Sequence, residues 1–315
     1  MSTRSYTKKA FLLAILFLLL SSLACRIDTS NRNQAEEMSM QQTLVSLQMT
    51  QTALEKQVGA ETSQPTEENT PLPPVEATQP SQEPTTLVDP DVAFEGINFS
   101  LDSTIASNTF PVIIPGKNMG DDAMPGDTYP THFEFTFESY AVTEHFHTPK
   151  ILVYPVEEYR AISDYAEDTI DNLAQTLITQ PDGGTMSNLP FLPIWNAAQV
   201  FSAQVTYFDF QNGSGVRYLT MFGQGLSPVD NQNLFYTFQG LTDDGRYYLS
   251  AVLPVTHPSL PNDGASEIED WTAFSENWED YISETITWLQ MEGAETFTPS
   301  LELLDEMMAS FMIDR

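Results

Sequence analysis

Apolar residues fall into four successive patterns along the chain. The first is an unbroken run, Ala10 to Leu20 (AFLLAILFLLL), with Arg4, Lys8 and Lys9 before it and Ser21-Ser-Leu-Ala24 after it. The second is a spaced seam: Met40, Leu44, Leu47, Leu54 and Val58, with polar Gln51 in the middle, step by four and three. That is the a/d spacing of a coiled coil. It predicts a short helix within 25–58 that either joins copies of the chain or stays a partly ordered tether, because an isolated helix of this length is marginal in water. The third pattern is a near absence of large apolar residues from 59 to 90, where Pro, Thr, Glu, Gln and Ser dominate (TPLPPVEATQPSQEPTTLVDP). Such a segment buries too little surface to offset the entropy of ordering it, and reads as an extended, disordered linker.

The fourth pattern, 91–315, is that of one folded domain. Strands are predicted at Val92–Leu101, His132–Tyr140 and Ile151–Tyr154, with a Pro/Gly/Asp loop (PGKNMGDDAMPGDTYP) between the first two. Tyr159, Ile162, Ala166, Ile170, Leu173 and Leu177 keep helical spacing and predict an amphipathic helix over Val156–Ile178, stopped by Pro181-Asp-Gly-Gly. A Pro-interrupted apolar loop, LPFLPIW, follows. A β-meander is predicted from Ala197 to Leu253: Val200–Phe210 turning through Gln211-Asn-Gly-Ser-Gly215 into Val216–Phe222, then Leu234–Gly240 turning through Asp243-Asp-Gly245 into Arg246–Leu253.

Two helices should close the chain. Trp271, Phe274, Trp278, Ile282 and Leu289 mark the buried face of the first, capped by Ser266 with Glu269 or by Asp270 alone. Leu301, Leu304, Met307, Met308 and Phe311 mark the second, with Thr298-Pro299 at its start. The expected fold class is α+β: an antiparallel sheet, a meander of hairpins, packed with helices in a sandwich. In element order alone the ending resembles the PsbP-like sandwich.

A basic start, an apolar stretch of about 7–15 residues and small residues after it define a secretory signal. Ala10–Ala24 is shorter than the ~20 residues a spanning helix needs. Cys25, directly after Ala24, is the only cysteine. Residues 1–25 resemble the signal of bacterial lipoproteins, although Ser22 stands where that family usually has Leu. The resemblance implies cleavage after residue 24 and a diacylglycerol on the Cys25 thiol, hence an extracytoplasmic protein anchored to a membrane by lipid. The alternative is an ordinary secretory signal with an incidental cysteine. Either way no cysteine remains for disulfides, thiol catalysis or Cys-based zinc sites.

Charge narrows the partners. The chain carries 44 Asp plus Glu against 12 Lys plus Arg, a net −32. Phosphate neutralisation needs basic residues, so nucleic acid is not an expected partner. Solubility in a salty medium, weak divalent-cation binding and docking to a basic partner all fit such acidity. The acids are scattered, which favours the first.

Candidate chemistry is sparse. His145 and His147, in Val-Thr-Glu-His-Phe-His-Thr, would face the same side of an extended segment and supply two metal ligands, with Glu144, His132 or His257 as a third. The bland alternative is two surface or turn histidines. Asp121, Asp122 and Asp127, and Asp263, Glu267, Glu269 and Asp270, are acidic groups without the spacing of a calcium loop. Ser214 in Gly-Ser-Gly reads as a hairpin loop rather than a nucleophile elbow. Aromatics on the meander strands place rings on both faces of the sheet, so any uncovered face would suit an apolar or sugar ligand. No cofactor is implied. The leading expectation is a membrane-tethered, non-enzymatic binding or interaction domain for a protein or small ligand. A metal-dependent hydrolase using His145 and His147, and an oligomeric scaffold built on the Met40–Val58 seam, are the alternatives.

Overall fold

In the computed structural model the described residues are 91–120, 124, 126–181 and 188–315. Cys25, the Met40–Val58 seam, the linker, Asp121 and Asp122 lie outside them. The architecture is α+β, with antiparallel sheets and a few helices.

The expected strand Val92–Leu101 is a hairpin instead. β1 (Val92–Phe94) turns through Glu95-Gly96, both at positive φ (51° and 80°), into β2 (Ile97–Phe99). Gly96 suits this turn doubly, since a Cβ there would lie 2.4 Å from Asp314 O.

β3 (Asn108–Ile114) was not expected, because Pro111 interrupts its pattern. It pairs with β4 (His132–Glu138), which pairs with β5 (Lys150–Pro155). β3 is an edge strand, where the missing proline N–H breaks no ladder on the open side.

The expected helix Val156–Ile178 breaks into α1 (Val156–Arg160) and α2 (Asp164–Thr179). Ser163 is the reason: its hydroxyl accepts from Ala166 N at 3.2 Å and caps α2.

The short ribbon β6 (Ala198–Gln199) with β9 (Phe222–Gly223) flanks a hairpin of β7 (Ala203–Phe210) and β8 (Gly213–Thr220). The expected five-residue loop is a two-residue turn at Gln211-Asn212, and Ser214 sits in β8 opposite Asp209. The glycines read as loop are strand residues. A Cβ on Gly213 would lie 2.2 Å from the Phe210 ring, and one on Gly215 2.2 Å from the Phe238 ring. Two aromatic rings lie over bare backbone here.

β10 (Phe235–Thr242) and β11 (Tyr247–Pro254) complete a fully antiparallel seven-stranded sheet in the order β3-β4-β5-β11-β10-β8-β7.

The first of the two closing helices divides at Asn277 into α3 (Trp271–Glu276) and α4 (Trp278–Met291). Asp270 alone caps α3, accepting from Thr272 N and Ala273 N. Trp271 is 46% exposed, while Ile282, Ile286 and Leu289 are buried. α5 (Leu301–Ala309) is capped by Ser300 rather than by Thr298, whose backbone instead pairs with Thr256 in both directions. β12 (Met312–Ile313) then joins β2 in a sheet ordered β1-β2-β12.

Strand alternation sends two side-chain sets to opposite faces. On one face Phe135, Val153, Leu249, Ala251, Tyr236, Phe238 and Leu219 pack with Ile97 and Phe99 of the small sheet, Ile282 and Leu289 of α4, and Leu304 and Met308 of α5. On the other, Leu152, Tyr154, Tyr248, Val216 and Tyr218 pack against Tyr159 of α1 and Ala166, Ile170 and Leu173 of α2. Both faces are therefore covered. The exception lies along β3, where Phe110, Val112 and Ile113 are 51%, 42% and 47% exposed.

Candidate functional site

The second face is completed by a loop, residues 188–197, that carries no regular structure except where it enters β6. A loop laid over a sheet must satisfy its backbone groups locally. Here Gln239 of β10 does this. Its Oε1 accepts from Leu192 N at 3.0 Å and its Nε2 donates to Leu192 O at 3.2 Å. The same amide is held by the Tyr248 hydroxyl (2.6 Å), Thr237 Oγ1 (2.8 Å) and Ser250 Oγ (3.1 Å). The Ser250 hydroxyl also donates to Leu192 O, and the Tyr218 hydroxyl donates to Pro190 O at 2.9 Å. Burial pushes the Tyr218 and Tyr248 hydroxyls well above their ordinary pKa, so both remain donors. On either side of this anchor the apolar loop residues are also fixed. Phe191, Trp195, Phe222 and Phe235 form an aromatic cluster with centroid distances of 4.5 to 6.1 Å.

Between this anchored loop and α2 lies a cleft of about 600 Å³. The α2 wall presents Tyr165, Asp168, Thr169, Asn172, Gln175, Thr176 and Thr179. Steps of three and four residues bring them onto one stripe of the helix. The opposite wall holds Asn188, Phe191, Pro193, Trp195, Gln199 and Phe222. Tyr165 is 60% exposed, and the amides of Asn172 and Gln175 face solvent. The hydroxyls of Thr169 and Thr179 donate back to Tyr165 O and Gln175 O; Thr169 is buried, and the exposed Thr179 hydroxyl keeps free lone pairs as an acceptor. Gln199 Oε1 accepts from Leu189 N at 2.8 Å. Its buried Nε2 makes no hydrogen bond of normal geometry, with the Tyr218 hydroxyl as the polar neighbour it influences.

Among the described residues Asp168 is the single charged residue of the lining. Arg160, the nearest cation along the helical segment, is engaged by Asp171 at 2.6 Å and Glu167 at 3.8 Å. The cleft thus offers amides, hydroxyls and aromatic rings, with no positive charge among its described lining residues.

The histidine pair lies elsewhere in the same layer. Residues 141–149 are a loop, with Glu144 at φ 57°, rather than the extended segment that would align the two rings. His145 Nε2 donates to Leu234 O at 2.9 Å and its Nδ1 accepts from His147 N at 3.0 Å, so both nitrogens of the neutral ring are engaged. His147 stacks on Trp195 at 4.5 Å with 4° between planes. Burial lowers the pKa of both rings, and His147 is brought to about 4 by burial and by its neighbour His145.

His132 donates from Nδ1 to Pro130 O at 2.9 Å and packs against Tyr154. His257 Nε2 lies 3.1 Å from Thr296 Oγ1 and 3.4 Å from the Glu292 carboxylate. Among the described residues no three His, Cys, Asp or Glu side chains gather to hold a metal ion. Asp127 pairs with Lys117 at 2.5 Å, and Asp263, like Asp270, caps a helical turn.

One sequence signal marks the α2 wall of the cleft. Tyr165, Thr169, Asn172, Thr176 and Thr179 form an uncharged stripe on a helix otherwise rich in acids. Comparison with known proteins adds no relative: no family model, no curated protein and no solved structure matches the chain.

Proposed function

We propose that this protein is a lipid-anchored extracytoplasmic binding module. In this reading Cys25 carries the lipid, residues 25–58 include the short heptad helix, 59–90 are the spacer, and 91–315 hold the ligand. The observation that carries the binding role is the cleft of about 600 Å³ between α2 and the 188–197 loop. Its size lies within the usual range of ligand sites, about 300–1,000 Å³. One wall is a rigid helix and the other is bonded to the sheet through Gln239. A site held on both sides in this way loses little freedom when it binds.

The anchoring role rests on the sequence: a basic start, the Ala10–Leu20 run and a single cysteine directly after Ala24. More than one acyl chain on Cys25 would give the two-signal anchoring that stable attachment requires. The net −28 of residues 91–315, from 6 Lys and Arg against 34 Asp and Glu, keeps the domain off anionic lipid heads. The lipid is left as the sole attachment.

Fractionation tests the anchor. Full-length protein expressed in a bacterium should sediment with membranes, and a Cys25→Ser variant should leave them. A Cys25→Ser protein that stays membrane-bound overturns the lipid anchor.

A further inference from the structure

We infer that the cleft between α2 and the 188–197 loop takes a neutral oligosaccharide. This rests on the binding-module reading and names the ligand of the same site. Three features of the walls point to it.

The first is charge. Among the described residues the lining contains one acid, Asp168, and no cation. Phosphates, sulfates and uronic acids would meet no counter-charge, and the net −28 of the domain repels them further.

The second is the type of polar group. Asn172, Gln175 and Asn188 each offer both a donor and an acceptor, and the exposed Thr179 hydroxyl, already donating to a helix carbonyl, offers an acceptor. Vicinal sugar hydroxyls are themselves paired donors and acceptors, so each can be satisfied by such a wall. The Asn172 and Gln175 amides are solvated before binding, which makes the exchange of water for hydroxyl nearly even in cost.

The third is the aromatic component. The Tyr165 ring is 60% exposed at the N-terminal end of the stripe. It presents an apolar face to which the C–H face of a pyranose can lie flat. From Tyr165 to Thr179 the helix rises roughly 21 Å at about 1.5 Å per residue. That is long enough for several sugar rings in a row, rather than one.

An extended peptide is the competing ligand. It gains its affinity from main-chain pairing with a free strand edge or from deep apolar pockets. The α2 wall offers neither, being a helix with hydroxyl and amide groups, and the strands that reach the opposite wall, β6 and β9, are two residues long, too short to pair an extended chain, so the sugar is favoured.

The test uses the full-length, detergent-solubilised protein. Maltohexaose, cellohexaose and chitohexaose serve as neutral probes, with hexagalacturonate and decaproline as contrasts. Binding is read by calorimetry and by tryptophan fluorescence, to which Trp195 in the cleft wall contributes. The expected result is saturable binding of at least one neutral hexasaccharide. Tyr165→Ala and Asn172→Ala should each weaken it about tenfold, equivalent to ~1.4 kcal/mol. Both positions are exposed, so the thermal melt of either variant should match that of the wild type, and loss of binding cannot be ascribed to unfolding.

Absence of binding by every neutral probe overturns the inference, as does binding that both variants leave unchanged. Decaproline or hexagalacturonate binding that is lost in Tyr165→Ala overturns the sugar and leaves the binding-module reading standing. A cleft that binds none of the five probes, in a protein that Cys25→Ser fails to release from membranes, overturns both.

Discussion

The two faces of the seven-stranded sheet are covered in different ways. The face toward α4, α5 and the small β1-β2-β12 sheet is a continuous apolar core. Phe99 stacks on Phe311 with centroids 4.3 Å apart, and Arg217 and Asp305 form its main polar contact. The face toward α1 and α2 carries tyrosines, Gln239, Thr237 and Ser250, and its cover is fastened by hydrogen bonds as much as by apolar area. The first face leaves an apolar cleft of about 490 Å³ at its edge beside α4, lined by Val229, Leu260, Tyr281 and Trp288. The second, whose cover is held by directed bonds, leaves the polar cleft of about 600 Å³ at its margin beside α2. Only the second lines its walls with side chains that can exchange hydrogen bonds along their whole length.

Breaking the first face should cost most. Arg217 is nearly buried, with Nε and Nη2 on the Asp305 carboxylate at 3.0 and 2.8 Å, and the Tyr236 hydroxyl donates to the same carboxylate at 2.9 Å. Asp305→Ala would strand the guanidinium beside a core. The expected loss is about 3 kcal/mol in urea unfolding, at the lower end for a broken buried pair because Asp305 retains some exposure. Asp305→Asn, which keeps the Tyr236 bond, should cost less.

Gln239→Leu sharpens the contrast from the other side. It removes the anchor of Leu192 and leaves buried hydroxyls without their partner, for a loss of about 2 kcal/mol. Hydrogen exchange should rise in 188–199 before it rises in α4 or α5. Equal acceleration on both faces would contradict separate covers.

Acidification separates the faces more gently. The folded pKa of His147 lies at about 4, below its ordinary value near 6.5, because burial and His145 disfavour the imidazolium. The unfolded chain therefore takes up this proton first. Stability is retained above about pH 6.5 and is lost as pH falls from there toward 4. His132 and His145, also depressed by burial, act in the same direction. His147→Phe keeps a ring against Trp195 and removes one titrating group. Its urea midpoint should fall less between pH 7 and pH 4.5 than that of the wild type, by the equivalent of about 1 kcal/mol after allowing for partial exposure. An identical pH slope would show that His147 does not titrate as its surroundings dictate.

The smallest expected effect is on the α2 stripe. Tyr165→Ala should change stability by no more than about 0.5 kcal/mol, because the ring is mostly exposed. A larger loss would mean that Tyr165 belongs to the core rather than to a surface for ligands.

Much of the fold was legible in the sequence. Period-two alternation located β4, β5, β7, β8, β10 and β11, and helical spacing located α2, α4 and α5. The errors have local causes. Pro111 hid β3, because proline is read as a breaker and only edge strands tolerate it. Ser163 and Asn277 divided helices whose apolar spacing runs through the break. Gly213 and Gly215 read as part of a hairpin loop, yet they are strand residues, small so that Phe210 and Phe238 can lie across them. No single-sequence pattern shows which ring will cover which backbone.

The site was less legible than the fold. Its polar residues sit on two segments, α2 and 188–199, that are adjacent only because Gln239 on a third element bonds the loop down. Period and spacing describe one element at a time, and a cleft between elements escapes them. In α2 the wall runs along a mostly uncharged stripe, with Asp168 at its edge, on a helix whose acids are its most conspicuous feature.

The most direct measurement is hydrogen exchange by mass spectrometry on the full-length protein, with and without saturating cellohexaose or whichever neutral hexasaccharide binds. The expected result is ligand-induced protection confined to 165–179 and 188–199, with β3 and the α4–α5 face unchanged. Protection on the α4–α5 face or along β3, or none in the cleft, would contradict the placement of the binding site in the seam of the polar cover.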